Sequence, residues 1–227
     1  MFPILSAKNI YKTYQKKNSP PIEVLKNISL PIANADTIAI LGKSGSGKST
    51  LLQILGALDT PTTGKVFFLE EDLSRLNEEK KAAFRNKELG FVFQFHYLML
   101  EFTALENVMM PALLGNISAN KAKERAKMLL SRVGLIKRLD HKPSQLSGGE
   151  QQRVAIARAL MMNPKVLLTD EMTGNLDDQT SRIVFSLLME IQSEYRLAIV
   201  SVTHDERLAS AYNKIFRLEN GSLISIK

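Results

Sequence analysis

Cysteine is absent from the 227 residues, so neither a disulfide framework nor a thiolate metal site exists, which fits a reducing compartment. No apolar run approaches the roughly 18 residues that span a bilayer, so no transmembrane helix is expected. The opening Met1-Phe2-Pro3-Ile4-Leu5 lacks a basic region ahead of an apolar one, which predicts no signal peptide and a chain that stays in the cytoplasm. Internal repeats and low-complexity linkers are missing too. What is present is an ordinary globular balance, 44% hydrophobic and 23% charged, which argues against disorder. The length suits one large α/β domain or a core with a small satellite.

Lysine and arginine number 30 against 23 acidic residues, a formal +7. Such an excess favours nucleic acid, anionic lipid or phosphorylated ligands when it is concentrated. Here it is dispersed: five lysines fall in the first 34 residues, and the stretch 120–142 is basic as well. Charge spread this way marks no single track, and we read it as solvated surface with no nucleic-acid partner.

Apolar alternation predicts strands over 4–14, 24–32 and 37–41, broken by Pro20-Pro21 and Asn34-Ala35-Asp36. A helix is expected over 49–58, with Leu51, Leu52, Ile54, Leu55 and Leu58 at helical spacing. A short apolar strand follows over 89–94. From about 103 to 139 the pattern turns helical, with Ala122, Ala126, Leu129, Leu130 and Val133 forming one face. The runs 166–168 and 198–202 read as buried strands, each preceded by a helix, as in a parallel sheet. The chain closes on a hairpin, 215–218 and 223–226, turned by Asn220-Gly221.

Three motifs carry chemistry. Gly42-Lys43-Ser44-Gly45-Ser46-Gly47-Lys48-Ser49 fits G-x-x-x-x-G-K-[ST] between an apolar strand and a helix, the context of a phosphate-binding loop. Glycines let successive amides and the helix N-terminus face negative charge. Lys48 is then expected at the β- and γ-phosphates, and the Ser49 hydroxyl on Mg²⁺. A Gly/Ser turn entering a helix is the plain alternative. The second motif is the run 166–171, an apolar strand ending in Asp170 and Glu171. At the carboxyl end of a parallel strand, Asp170 suits the Mg²⁺ shell and Glu171 suits a general base that polarises water. Acidic pairs at strand ends also serve merely to cap the next helix.

The third motif is Leu146-Ser147-Gly148-Gly149-Glu150-Gln151-Gln152-Arg153. Ser147 and Glu150 make a capping box that opens a helix running to about 161. A well-capped helix would explain that much. Gly148 and Gly149, however, bare backbone amides at the N-terminus and create a second anion site. One nucleotide has no use for two such sites unless each serves a different copy of the protein.

With this run in place, nearly the whole chain resembles the ATP-binding cassette family in motif order and spacing. The resemblance implies an α/β P-loop NTPase (RecA-like) core with an N-terminal antiparallel β subdomain. A helical subdomain is inserted over approximately 96–150, all within a single ATPase domain spanning 1–227. It implies ATP hydrolysis with Mg²⁺ in an ATP-dependent head-to-tail dimer, each ATP held between one copy's phosphate loop, Thr50 included, and the other's Ser147, Gly148 and Gly149. By the same resemblance Tyr14 stacks on adenine and Gln94 touches Mg²⁺ and the attacking water. Gly174-Asn175-Leu176-Asp177 runs along the dimer interface, and His204 contacts the γ-phosphate. Two departures stand out: Met172 where the family usually has proline, and Asn34-Ala35-Asp36 in place of the usual Gly-Glu.

The spacing between Lys48 and Leu146 leaves no room for the long coiled coil of repair and chromosome cassettes, and one cassette differs from the tandem ribosome-associated types. Transport therefore leads, with a cell-division cassette as the non-transport alternative. The runs 90–98 and 101–111, with Leu58-Asp59-Thr60-Pro61-Thr62-Thr63-Gly64 and Thr173-Gly174-Asn175-Leu176-Asp177, resemble the cassettes of lipoprotein-releasing transporters; macrolide exporters are close relations. That likeness implies integral membrane permease subunits as partners and a peripheral position on the cytoplasmic face of the inner membrane.

Overall fold

A computed structural model describes residues 3–15 and 20–227. Met1 and Phe2 of the opening, and Lys16 and Lys17 of the basic N-terminal stretch, lie outside the described residues. In chain order the elements are β1 (Leu5–Tyr14), β2 (Ile22–Ile32), β3 (Thr37–Leu41), α1 (Lys48–Leu55), β4 (Thr63–Phe68), β5 (Glu71–Asp72), α2 (Glu78–Glu88), β6 (Leu89–Phe93), α3 (Ala104–Leu114), α4 (Ala119–Arg132), α5 (Gly148–Ala159), β7 (Val166–Asp170), α6 (Asp178–Tyr195), β8 (Ala198–Thr203), α7 (Glu206–Ala209), β9 (Lys214–Glu219) and β10 (Ser222–Ser225). They form two compact units, Met1–Ala82 with Ala198–Lys227, and Ala83–Leu197.

The first unit contains an antiparallel sheet in the order β2-β1-β4-β5, in which Leu5 stands between Ile32 and Phe68. Ile28, Leu30 and Ile32 alternate inward along β2, the period-two burial that an antiparallel sheet with one dry face demands. Its other strands run β10-β9-β3-β8, with β3 parallel to both β8 and β9. All five residues of β3 are buried, which explains a run with no polar alternation. Asn220 and Gly221 both have positive φ, the conformation a two-residue hairpin turn requires, and β9 and β10 pair across them as expected.

The structure departs from the sequence pattern at the end of α1 and in the elements β4, β5, α2 and α7. Helix α1 ends at Leu55, because Gly56 caps it and Ala57 turns left-handed at φ 53°, so Leu58 is exposed and lies off the helix face. Strand β4 and helix α2 are elements that the pattern does not announce. β4 exists through its pairing with β1, and α2 buries no residue, so neither writes an apolar period into the sequence.

Ala35 sits at φ 61°, where the family's glycine would be relaxed, while Asp36 beside it takes the Ala33 amide and the Lys214 ammonium at 2.7 and 2.6 Å. Relief of about 1–2 kcal/mol of left-handed strain outweighs the roughly 0.4–1 kcal/mol lost to a floppier unfolded chain. Ala35→Gly should therefore raise the midpoint of urea unfolding; a lower midpoint would show that the turn carries no strain.

In the second unit β6 lies parallel to β7, and helices α3 to α6 supply the remaining packing. Ala122, Ala126, Leu129, Leu130 and Val133 are all buried, as the helical face in the sequence predicts. Gly90 permits close approach of α5, since a Cβ there would stand 2.7 Å from the Ala159 carbonyl oxygen.

Candidate functional site

In the first unit the β3–β8 register sets Leu41 beside Thr203, so Gly42 and His204 leave the sheet at the same edge. Residues 42–46 of the loop and His204 line one open cavity of about 820 Å³. No side chain caps α1: its N-cap is Gly47 at φ 100°, a conformation only glycine holds readily, and a Cβ there would also meet Val24 Cγ1 at 2.8 Å. Gly42 is equally confined, with Ser46 Oγ and the Leu218 carbonyl oxygen at 2.6 and 2.8 Å from where its Cβ would be. Lys48 is buried, and its Nζ donates to the carbonyls of Gly42 and Lys43 at 2.8 and 3.0 Å. The ammonium is thus held against the loop's own backbone. Ser46 Oγ is buried with no hydrogen-bond partner among the described residues, a polar atom that an anionic ligand in the loop would satisfy.

Tyr14, at the end of β1, is anchored rather than loose. Its hydroxyl donates to Asp59 Oδ2 at 2.7 Å, and Lys12 Nζ lies 4.7 Å from the ring centre. Burial and the hydrogen bond to Asp59 raise its pKa, while contact with Thr50 ties it to the first turn of α1. Burial works against the Asp59 carboxylate, but the hydrogen bonds from Lys12 and Tyr14 outweigh it and hold that carboxyl below its usual value. Nothing in the sequence marks Asp59 as the tyrosine's anchor, a role that depends on a pairing 45 residues apart.

In the second unit the β6–β7 register sets Phe93 opposite Asp170, so Gln94 and Glu171 follow the two strand ends side by side. Gln94 exchanges two hydrogen bonds with Asn175: its Nε2 donates to Asn175 Oδ1 at 3.1 Å, and Asn175 Nδ2 donates to the Gln94 carbonyl at 3.2 Å. A Cβ on Gly174 would come within 3.0 Å of Gln94 Nε2. Glu171 lies at φ 44°, left-handed backbone that a non-glycine residue adopts at a cost. A proline at 172 would drive Glu171 toward extended backbone; Met172, buried, leaves the left-handed turn open.

The signature run opens α5 with both halves of its capping box formed. Ser147 Oγ accepts from the Glu150 amide at 3.3 Å, and Glu150 Oε2 accepts from the Ser147 amide at 2.8 Å. That backbone bond, with Arg138 at 3.0 Å, holds the Glu150 carboxyl below its ordinary value. Gly149 is packed so closely that a Cβ would sit 2.5 Å from Thr180 Cγ2, whereas Ser147 and Gly148 are exposed. Two partners were not legible as such. Asn175 reads in the sequence only as part of the interface loop, not as the holder of Gln94. Arg158 escapes the motifs altogether; the available signal was a lone arginine inside the apolar run Val154-Ala155-Ile156-Ala157-Arg158-Ala159-Leu160.

A parallel-stranded core, a glycine-bounded phosphate loop and a lysine folded against it define a P-loop nucleotide hydrolase. Residues 25–174 match the ABC transporter family. The chain is 51% identical over 220 residues to the lipoprotein-releasing system ATP-binding protein LolD of Legionella pneumophila (strain Paris), covering 97% of this chain and 96% of that one. Against the protein of the same name from Wigglesworthia glossinidia brevipalpis, identity is 49% over 220 residues, with the same coverage. Among solved structures, the dimeric ATP-binding cassette MJ0796 in a post-hydrolysis state bound to ADP and Pi superposes with a TM-score of 0.88. It is 38% identical, over 98% of this chain and 99% of that one. The chain belongs to the ABC transporter family, as an ATP-hydrolysing cassette with the α/β P-loop fold.

Proposed function

We propose that this chain is the MgATP-hydrolysing subunit of a transporter that releases lipoproteins from the inner membrane, working as a head-to-tail dimer bound peripherally to integral permease subunits on the cytoplasmic face. The observation that carries the substrate class is the 51% identity to a LolD across 97% of the chain. It acts as one cassette domain over 1–227 with a helical subdomain over approximately 96–150.

In this reading Gly42, Lys43, Ser44, Gly45, Ser46, Gly47, Lys48, Ser49 and Thr50 hold the ATP phosphates, and Tyr14 stacks on adenine. The loop's uncapped helix start and the buried Ser46 Oγ, which has no hydrogen-bond partner among the described residues, support that assignment. Ser49, Gln94 and Asp170 offer oxygen donors suited to a hard cation, so Mg²⁺ would be held by them and would neutralise phosphate charge when bound. Glu171 takes a proton from water as the water oxygen bonds to the γ-phosphorus; the bond to the β–γ bridging oxygen breaks, leaving ADP and phosphate. Lys48 offsets negative charge on the γ-phosphate, and His204 contacts it. Ser147, Gly148 and Gly149 present their helix N-terminus to the nucleotide of the second copy.

Permease docking is assigned to the segment 95–102. Phe95, Tyr97, Met99 and Leu100 are all exposed there, with Leu100 at 70%. Exposed apolar clusters rich in aromatics and Met mark protein interfaces. Tyr97 leans edge-on against Phe93, with ring centres 5.3 Å apart, so its substitution would disturb β6 as well. Leu100→Glu is the cleaner probe. It should abolish capture by a candidate permease while ATP turnover of the isolated subunit is retained; undiminished capture would move the docking site elsewhere.

A further inference from the structure

The segment 95–102 exposes six of its eight side chains, all but those of His96 and Leu98, yet is clamped in its backbone. Asn107 of α3, fully buried, donates through Nδ2 to the carbonyls of Met99, Phe102 and Thr103 at 3.1, 3.1 and 3.0 Å and accepts from the Met99 amide at 2.8 Å. The second clamp comes from a different helix. Arg158, in the last turn of α5, donates through Nη1 to the Tyr97 carbonyl and through Nη2 to the His96 carbonyl, both at 2.6 Å. These two carbonyls flank a left-handed kink, Tyr97 at φ 46°. Burial lowers the guanidinium's pKa, and His96 is held below its usual value by burial and by Arg158. A desolvated cation is retained here because the two short carbonyl bonds compensate it.

The other end of the same helix is Ser147-Gly148-Gly149. Arg158 stands eleven positions after Ser147 along α5, roughly 16 Å of rod at 1.5 Å per residue. Val154, Ala155, Ile156 and Ala157 are fully buried, so α5 shifts as a body rather than bending. Gln94 already ties the start of the segment to Asn175. Arg158 adds a separate link, from the segment's middle to the helix that carries the signature.

We propose that Arg158 is a positioning residue that couples the exposed segment 95–102 to the N-terminus of α5. A partner pressing on the segment thereby moves Ser147-Gly148-Gly149, and a nucleotide clamped at those residues is registered in the segment. The planar fork suits this coupling: two parallel N–H donors reach two successive carbonyls, which a lysine's single ammonium does not reproduce. The proposal rests on the reading that 147–149 clamps ATP of a second copy.

Amide hydrogen exchange, measured with and without MgATP on the full chain carrying Glu171→Gln, tests it. Exchange is expected to slow in both 147–150 and 96–102 on adding MgATP, by roughly fivefold or more in each. Adding Arg158→Met should leave the slowing at 147–150 and remove it at 96–102; Arg158→Lys should restore only part of it. If 147–150 never responds to MgATP, the shared-nucleotide reading fails, and the coupling with it. If 147–150 responds but 96–102 is unmoved with Arg158 in place, or responds equally in the Met variant, the coupling alone is overturned. A fall in melting temperature without loss of the 96–102 response would assign Arg158 a purely structural role. Should the Met variant not fold, Arg158→Lys decides the outcome: a response at 96–102 smaller than with arginine supports the coupling, and an equal one overturns it.

Discussion

Glu171→Gln should bind MgATP as tightly as the unmodified chain while steady-state phosphate release falls by about 10²–10⁴-fold, the usual loss on removing a general base. The amide keeps the shape of the carboxylate and its place after β7, but it cannot accept the water's proton. Glu171 belongs to a tight turn, since its carbonyl accepts from the Gly174 amide at 2.9 Å, and its left-handed backbone aims the side chain independently of the strand. A glutamine tolerates that turn as glutamate does, so the substitution isolates chemistry from folding. Phosphate release within a fewfold of normal would remove Glu171 from the reaction. Equal loss of nucleotide binding, read by a fluorescent ATP analogue, would instead assign it to binding.

The second large effect concerns assembly. In the Glu171→Gln protein, MgATP should convert monomer to dimer, and adding Ser147→Arg should abolish the conversion. Ser147 is exposed at the tip of α5, so an arginine there fills the space that the other copy's phosphates would take. The change also removes a cap whose loss costs about 1 kcal/mol. Ser147→Ala is the control: it removes the same cap without the bulk, and the two variants should melt alike. Light scattering with and without MgATP reads the result. A dimer equally stable without nucleotide, or untouched by Ser147→Arg, would overturn the shared-site arrangement.

Neither prediction needed the tertiary structure to name its residue. The glycine-rich loop, the acidic pair after β7 and the capped signature helix are each contiguous in sequence, so they can be read without the tertiary contacts that confine their glycines. Gly47 must be glycine because the chain turns left-handed at φ 100° there, and Gly149 because Thr180 leaves no room for a Cβ. The buried strands were legible for a related reason: a strand covered on both faces has no polar positions, as β3 shows.

Where burial left no period, the sequence was silent. α2 buries nothing, and β4 is a strand because β1 lies beside it, with Gly64 so close to Asn9 that a Cβ would clash with its carbonyl. The stop of α1 at Leu55 was set by backbone turns at Gly56 and Ala57, which apolar spacing through Leu58 does not report.

By itself the sequence determined the local motifs: which glycine-rich loop joins a buried strand to a helix, which carboxylates follow a buried strand, and which helix opens on bare glycine amides. Short-range steric and hydrogen-bonding rules are enough for that. Only the tertiary structure decided how those groups are held. Tyr14 is fixed by Asp59, Gln94 by Asn175, and the segment after Gln94 by Asn107 and Arg158. Apart from Asn107, these partners lie 45 to 81 positions from the groups they hold. Such pairings depend on strand register and helix packing, because a hydrogen bond is specified by where two backbones come to lie and not by the identity of either residue alone.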